Sequence, residues 1–135
     1  MATYQLDIVT PERTVYSGAV SRLTAPSTEG LFGVLPGHAA LLTSLATGLL
    51  VFVEDGGQAR RVAVSGGFAE VERGRVVVLA ETAEPGEEVD VPRARVALTK
   101  ALEELGQGPR PAAETEQLRL AVTRARSRLK AAGTE

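Results

Sequence analysis

The sequence predicts an antiparallel β-sandwich or flattened barrel followed by a C-terminal two-helix hairpin, and a change of period along the chain carries that prediction. Up to Glu84, apolar side chains recur at every second position, as in Tyr4, Leu6 and Ile8 and in Val76, Val78 and Ala80. From Ala94 they recur at helical spacing: Ala94, Leu98, Ala101, Leu102, Leu105. Period two marks half-buried strands, and a period between three and four marks an amphipathic helix. Between the two regimes lies EPGEEVDVPRA, Glu84 to Ala94. There Pro85-Gly86 breaks the last strand, Asp90 suits an N-cap, and Pro92 is tolerated in a first helical turn. The chain divides into a strand-built body, residues 1–86, and a helical tail, residues 87–135, with a bendable joint between them.

The totals agree. For 135 residues, one compact body with an appendage is the natural expectation. Three Phe, two Tyr and no Trp imply a core of Val, Leu and Ala and no aromatic binding platform. Fifteen basic against seventeen acidic side chains leave a net charge of −2, so bulk attraction to nucleic acid is not indicated. The absence of Cys removes disulfides, thiol nucleophiles and thiolate metal sites together, and fits a reducing compartment. The start, MATYQLDIVTPE, has no basic or apolar region of the kind a signal peptide needs. Gly30 to Val53 lacks Asp, Glu, Lys and Arg, yet Gly33, Pro36, Gly37, His38 and Gly48 interrupt it. It reads as buried strands and turns, so no direct membrane insertion is expected.

Along the body, Tyr4 to Val9 is a strand ended by Thr10-Pro11-Glu12. Thr14 to Ala25 is a second, with Val15, Ala19, Val20 and Leu23 as apolar contacts and Gly18 as an expected bulge. Leu49 to Val53 and Ala59 to Val64 flank the hairpin turn Asp55-Gly56-Gly57. Gly66-Gly67 is expected to break the run, Phe68 to Glu72 resumes it, and Arg73-Gly74 turns into the strongest strand, Val76 to Ala80. Gly-rich turns with no helix between them argue for antiparallel pairing.

In the tail, one helix should run from Val91 to Leu105, where Gly106-Gln107-Gly108-Pro109-Arg110-Pro111 stops it. A second should run from Ala112 to Ala131, with Leu118, Ala121, Val122, Ala125 and Leu129 on one stripe. Isolated helices of this length are marginal, and a few Leu and Val side chains facing Ala bury little surface. Contact with the body, a partner or a ligand should therefore decide where the tail sits. The second helix also carries Arg119, Arg124, Arg126, Arg128 and Lys130, with no acid between Gln117 and Ala132. Such a run is either a solvated face with cations near the helix C-terminus or a docking face for an acidic partner or an anion.

These stretches bring a family into view. GLFGVLPGHAALLTSLATG (Gly30–Gly48), SGGFAEVERGRVVVLAETAE (Ser65–Glu84) and VDVPRA (Val89–Ala94), in that order, resemble the epsilon subunit of the bacterial rotary proton-translocating ATP synthase, called delta in mitochondria. The resemblance runs the whole length. It implies a sandwich of about ten antiparallel strands bound to the gamma subunit and the c-ring, and no catalysis of its own. It further implies a hairpin that folds beside the sandwich or extends along gamma into the catalytic head, blocking rotation in the hydrolysis direction. Extended, it would set Arg119, Arg126 and Lys130 against an acidic loop of the beta subunit. The location implied is peripheral, on the cytoplasmic face of the bacterial inner membrane. No cofactor is required.

Some relatives bind ATP as a regulatory ligand through a motif resembling [Ile/Leu]-Asp-x-x-Arg-Ala. Here the matching positions are Val89, Asp90, Arg93 and Ala94, preceded by the acidic position Glu84. Arg124 and Arg128 match the helix-two arginines, and their i, i+4 spacing puts them on one face. Lys100 stands where ATP-binding relatives carry Arg, so a point charge replaces a bidentate fork. Glu29, Leu31 and Phe32 resemble the edge that meets the c-ring, unless the two apolar residues are core. His38 resembles a position near the gamma contact; a lone His is usually structural, and no second one exists to share a metal.

Three rival readings remain at this level. Val64-Ser65-Gly66-Gly67 has a faint likeness to a serine-protease nucleophile loop, but His38 is the only available base and there is no phosphate-loop motif. No catalytic residue is assigned. A free-standing nucleic-acid binder would use the Arg-rich helix, against the near-neutral total. A small ligand-binding sandwich with a helical interaction tail would need a deep apolar pocket between its sheets.

Overall fold

The structure, a computed structural model, describes residues 2–134. Its strands are β1 (Tyr4–Val9), β2 (Thr14–Ser27), β3 (Gly30–Val34), β4 (Leu41–Ser44), β5 (Gly48–Glu54), β6 (Ala59–Glu72) and β7 (Arg75–Pro85). A single 3₁₀ turn (Gly86–Glu88) leads to α1 (Val91–Leu105) and α2 (Ala112–Ala131). The sheet runs β1-β7-β6-β5-β2-β3, and β1 also pairs with β2, so it closes on itself. The result is a β-sandwich sealed along its edges, with β3 outside β2 and β4 laid on β6.

The class expected from periodicity holds, with two differences in detail. Seven strands form among the described residues rather than about ten, because long strands do double duty. β2 pairs with β1 through Thr14–Val20 and with β5 and β3 beyond it. β6 pairs with β5 up to Val64 and with β4 from Phe68 onward. The second difference is that β1 and β7 run parallel, from Gln5 opposite Arg75 to Val9 opposite Leu79. No tight turn joins these two strands, so nothing local enforces the antiparallel sense.

Two glycine sites, Gly18 and Gly66-Gly67, behave differently from expectation. Gly18 stays in register opposite Leu6, with the Tyr16 hydroxyl lying over it, and the irregularity in β2 falls at Ser21. Gly66-Gly67 does not end β6. Gly67 instead has φ of 103°, and a Cβ there would collide with the Leu79 carbonyl, so the strand bends through this point only because both positions are bare.

Alternation puts Tyr4, Leu6 and Ile8 inward, and they join Leu23, Leu50, Phe52, Val64 and Val78 in one core. The Tyr4 hydroxyl is buried with them and donates to the Val34 carbonyl at 2.8 Å; burial pushes its pKa up to about 12. Outside the β1 seam, Asp7 accepts from the Ser17 hydroxyl (2.6 Å) and pairs with Arg75 (2.9 Å). Those bonds, the Ser17 one foremost, hold the Asp7 carboxyl below its ordinary pKa and stitch β1 to both neighbours. No residue of α1 or α2 belongs to this core.

Capping bonds start α1 and close α2. The Asp90 carboxylate accepts the Arg93 amide at 3.1 Å, with Pro92 in the first turn. At the far end the Thr134 amide donates to the Leu129 carbonyl at 3.0 Å. α1 packs on α2, and α2 in turn lies along β5, β6 and the 3₁₀ turn. Val122, Ala125, Leu129 and Ala131 are the apolar residues buried on α2.

Candidate functional site

The joint between barrel and hairpin is acidic, and Glu84, Glu87 and Glu88 each have a definite ion-pair partner. Glu84 pairs with Arg128 of α2 at 2.7 Å. Glu87 pairs with Arg60 of β6 at 2.9 Å, and the same guanidinium reaches Glu54 of β5 at 3.2 Å. Glu88 pairs with Arg13, in the turn after β1, at 2.6 Å. Glu87 and Glu88 thus tie the 3₁₀ turn to the barrel, whereas Glu84 reaches across to the hairpin.

Beside the Glu84–Arg128 pair lies a half-open cleft of about 400 Å³ between α2 and the strands. Arg124, Ser127 and Arg128 form its α2 wall, and Ser65, Glu81 and Thr82 are on the strand wall. Arg124 has no ion-pair partner among the described residues. The charges are mixed: Arg13, Arg124 and Arg128 face Glu12, Glu81, Glu84 and Glu88.

Only part of the sequence-derived nucleotide set meets here. Glu84, Arg124 and Arg128 line the cleft, whereas Val89, Asp90, Arg93 and Ala94 do not. Asp90 is occupied as a cap, Ala94 is fully buried, Val89 is half-buried and Arg93 is exposed. Lys100 lies in a separate shallow groove on α1 with Arg95, Val96, Thr99 and Glu103.

The basic run of α2 divides between two faces. Arg124 and Arg128 turn toward the strands. Arg119, Arg126 and Lys130, spaced two and three helical turns along, are exposed on another face. Arg119 there pairs with Glu116 at 3.1 Å.

On the barrel, Leu31 at the tip of β3 is 74% exposed and Glu29 is exposed, while Phe32 is half-buried against the core. His38 is exposed in a turn, its Nδ1 2.7 Å from the Ala39 carbonyl oxygen. No cluster of metal-ligating side chains is found among the described residues. The structure adds a surface the sequence reading missed. Phe68 and Leu79 are direct cross-strand neighbours on the outer face and 54% and 49% exposed, with Leu42 of β4 at 68%. Their signal was phase: Phe68 alternates in step with Glu70 and Glu72, the solvent side of β6. Beside them the Glu70 carboxyl is held above its ordinary pKa, first by a hydrogen bond shared with Glu72 and then by that residue's charge.

With this geometry in hand, residues 3–86 match the family model described as "ATP synthase, Delta/Epsilon chain, beta-sandwich domain". The chain belongs to the ATP synthase delta/epsilon family. It is 43% identical over 130 residues to the ATP synthase epsilon chain of Desulforamulus reducens, covering 96% of this chain and 97% of that one. To the epsilon chain of Moorella thermoacetica it is 43% identical over 133 residues, covering 98% of each. It also superimposes on a chain of the Euglena gracilis mitochondrial ATP synthase, solved as OSCP/F1/c-ring, with a TM-score of 0.82 and 30% identity, covering 98% of this chain and 82% of that one. A chain of the Tetrahymena thermophila central stalk and c-ring shares the fold, with a TM-score of 0.64 at 17% identity. No helix of the described residues is long and apolar enough to cross a membrane.

The exposed phase of the family's sandwich here predicts a contrast between two phenylalanines. Phe68→Ala should change the stability of the isolated chain by less than about 1 kcal/mol, whereas Phe52→Ala should cost about 3–5 kcal/mol, read from urea unfolding midpoints.

Proposed function

We propose that this chain is a non-catalytic central-stalk subunit of a rotary proton-translocating ATP synthase, and that its hairpin restrains ATP hydrolysis by the assembled complex. Family membership supports the stalk assignment, as does likeness to a chain solved together with F1 and a c-ring. The observation that carries the regulatory half is the seam. α2 is docked on a barrel that has its own core, and its outward face is basic.

The contacts divide by chemistry. The apolar outer face around Leu42, Phe68 and Leu79, with His38 in the β3–β4 turn, suits the gamma subunit. Glu29 and Leu31 at the tip of β3 suit the polar loops of the c-ring, with Phe32 anchoring that tip to the core. Proton-driven rotation of the ring would pass to the stalk through these surfaces. Arg119, Arg126 and Lys130 would meet an acidic surface of the beta and alpha subunits once the hairpin extends. The chain would sit peripherally, on the cytoplasmic face of the bacterial inner membrane. The rival ligand-binding sandwich has less support, since the 400 Å³ cleft lies under α2 rather than between the barrel's faces.

ATP as a regulatory ligand fits this cleft in part. Its volume falls within the range of small-molecule sites, and Arg124 and Arg128 are positioned to hold phosphate oxygens. Four carboxylates line the same space, so a nucleotide must draw Arg128 away from Glu84 to gain its charge. Asp90 and Arg93, as placed, contribute the helix start rather than a ligand contact.

Deleting Arg93 to Glu135 should leave the complex assembled and raise its ATP hydrolysis; hydrolysis unchanged by the deletion would refute the inhibitory role. Titration calorimetry of the full chain with ATP should give saturable heat that weakens about tenfold or more on joint Arg124→Ala and Arg128→Ala replacement. No heat from the parent chain ends the nucleotide reading.

A further inference from the structure

We propose that Gly86 is a docking notch that sets the posture of the hairpin. The proposal rests on the reading of the hairpin as a movable element, and concerns what holds it down. A Cβ built on Gly86 would collide with the Ala131 carbonyl in the last turn of α2, and would crowd that residue's carbonyl carbon too. The clash does not come from glycine's special backbone freedom, because Gly86 is not among the positive-φ glycines. What the position requires is bareness. The hydrogen standing in place of the missing Cβ points at the Ala131 oxygen, the arrangement of a weak Cα–H···O contact. That oxygen belongs to the final turn of α2, where carbonyls lack helical partners.

Neither side of the notch can easily give way. Pro85, immediately before it, is buried, ring-locked and in register opposite Val62 of β6. After it, Glu87 and Glu88 are paired to Arg60 and Arg13 of the barrel. On the helix side Leu129 and Ala131 are buried, and Arg128 is held by Glu84. Because Pro85 continues the β7 ladder of the closed sheet while α2 is held only from outside, a methyl group at residue 86 lifts the end of α2 rather than displacing the turn. The barrel core contains none of these α2 residues, so the cost falls on docking and not on the barrel. The same geometry puts the pivot after the 3₁₀ turn, at Val89, since the turn itself is anchored to the strands.

Amide hydrogen exchange on the full chain tests this. Gly86→Ala should speed exchange of Val122 to Ala131 by at least about tenfold while β1 and β7 core amides stay within about twofold of the parent. Unchanged α2 protection overturns the notch, as does equal loosening of α2 and β7. Release of α2 by Gly86→Ala should also lower hydrolysis by the assembled complex. If α2 is released and hydrolysis does not fall, the notch stands and the inhibitory reading fails.

Discussion

The constraint on which the molecule depends is that the sheet closes on itself around a core of Val, Leu, Ile and Phe before the helices begin. β1 seals the ring by pairing with β2 on one side and β7 on the other, and Asp7 secures both edges from outside. Once that ring is closed, no inward-facing position remains for a helix to fill. The hairpin can only lie on the outer surface of β5 and β6, along the buried stripe of α2. It is attached, but it shares no interior with the strands.

Attachment of that kind gives a modest docking energy. The ion pairs of the joint are partly solvated, and such pairs contribute little individually. What fixes the geometry is packing: the small residues of α2 seated against the sheet, and the backbone of its last turn against Gly86. A helix pair docked in this way can exchange its contacts for others of similar strength. On the function proposed above, the tail would exchange its own barrel for a catalytic head, and that exchange needs such a near-balance. The division of the arginines follows the same logic. Arg128 holds α2 to Glu84 with Arg124 beside it on the cleft, and Arg119, Arg126 and Lys130 are exposed on another face.

Much of this was legible in the residues. Asp90 with Pro92, and the Gly-Pro run at 106–111, are local signals, and the ends of α1 and α2 fall where they point. The alternation in β1 names the core side chains directly. Non-local features were not legible. The parallel β1–β7 pair joins opposite ends of the body, and no nearby residue encodes its sense. Strand number is lower than the resemblance implies because β2 serves three neighbours along its length and β6 continues through Gly66-Gly67, where a break was expected. Of the nucleotide set, Glu84, Arg124 and Arg128 converge because one helix face meets one strand end, while Lys100 is carried away on α1. The partners of the joint, Arg13 and Arg60, come from distant turns and strands and leave no trace in local spacing. The exposed phase of Phe68 and Leu79 was present in the alternation and needed only to be compared with Glu70 and Glu72.

The measurement that bears most directly on a self-sufficient barrel is thermal unfolding of a chain ending at Glu88, followed by the near-ultraviolet dichroism of buried Tyr4. A barrel that owns its core predicts one cooperative transition with its midpoint within about 5 °C of the barrel transition in the full chain. A shortened chain with no ordered Tyr4 signal and no cooperative transition would mean that the helices complete the core, and would contradict the account.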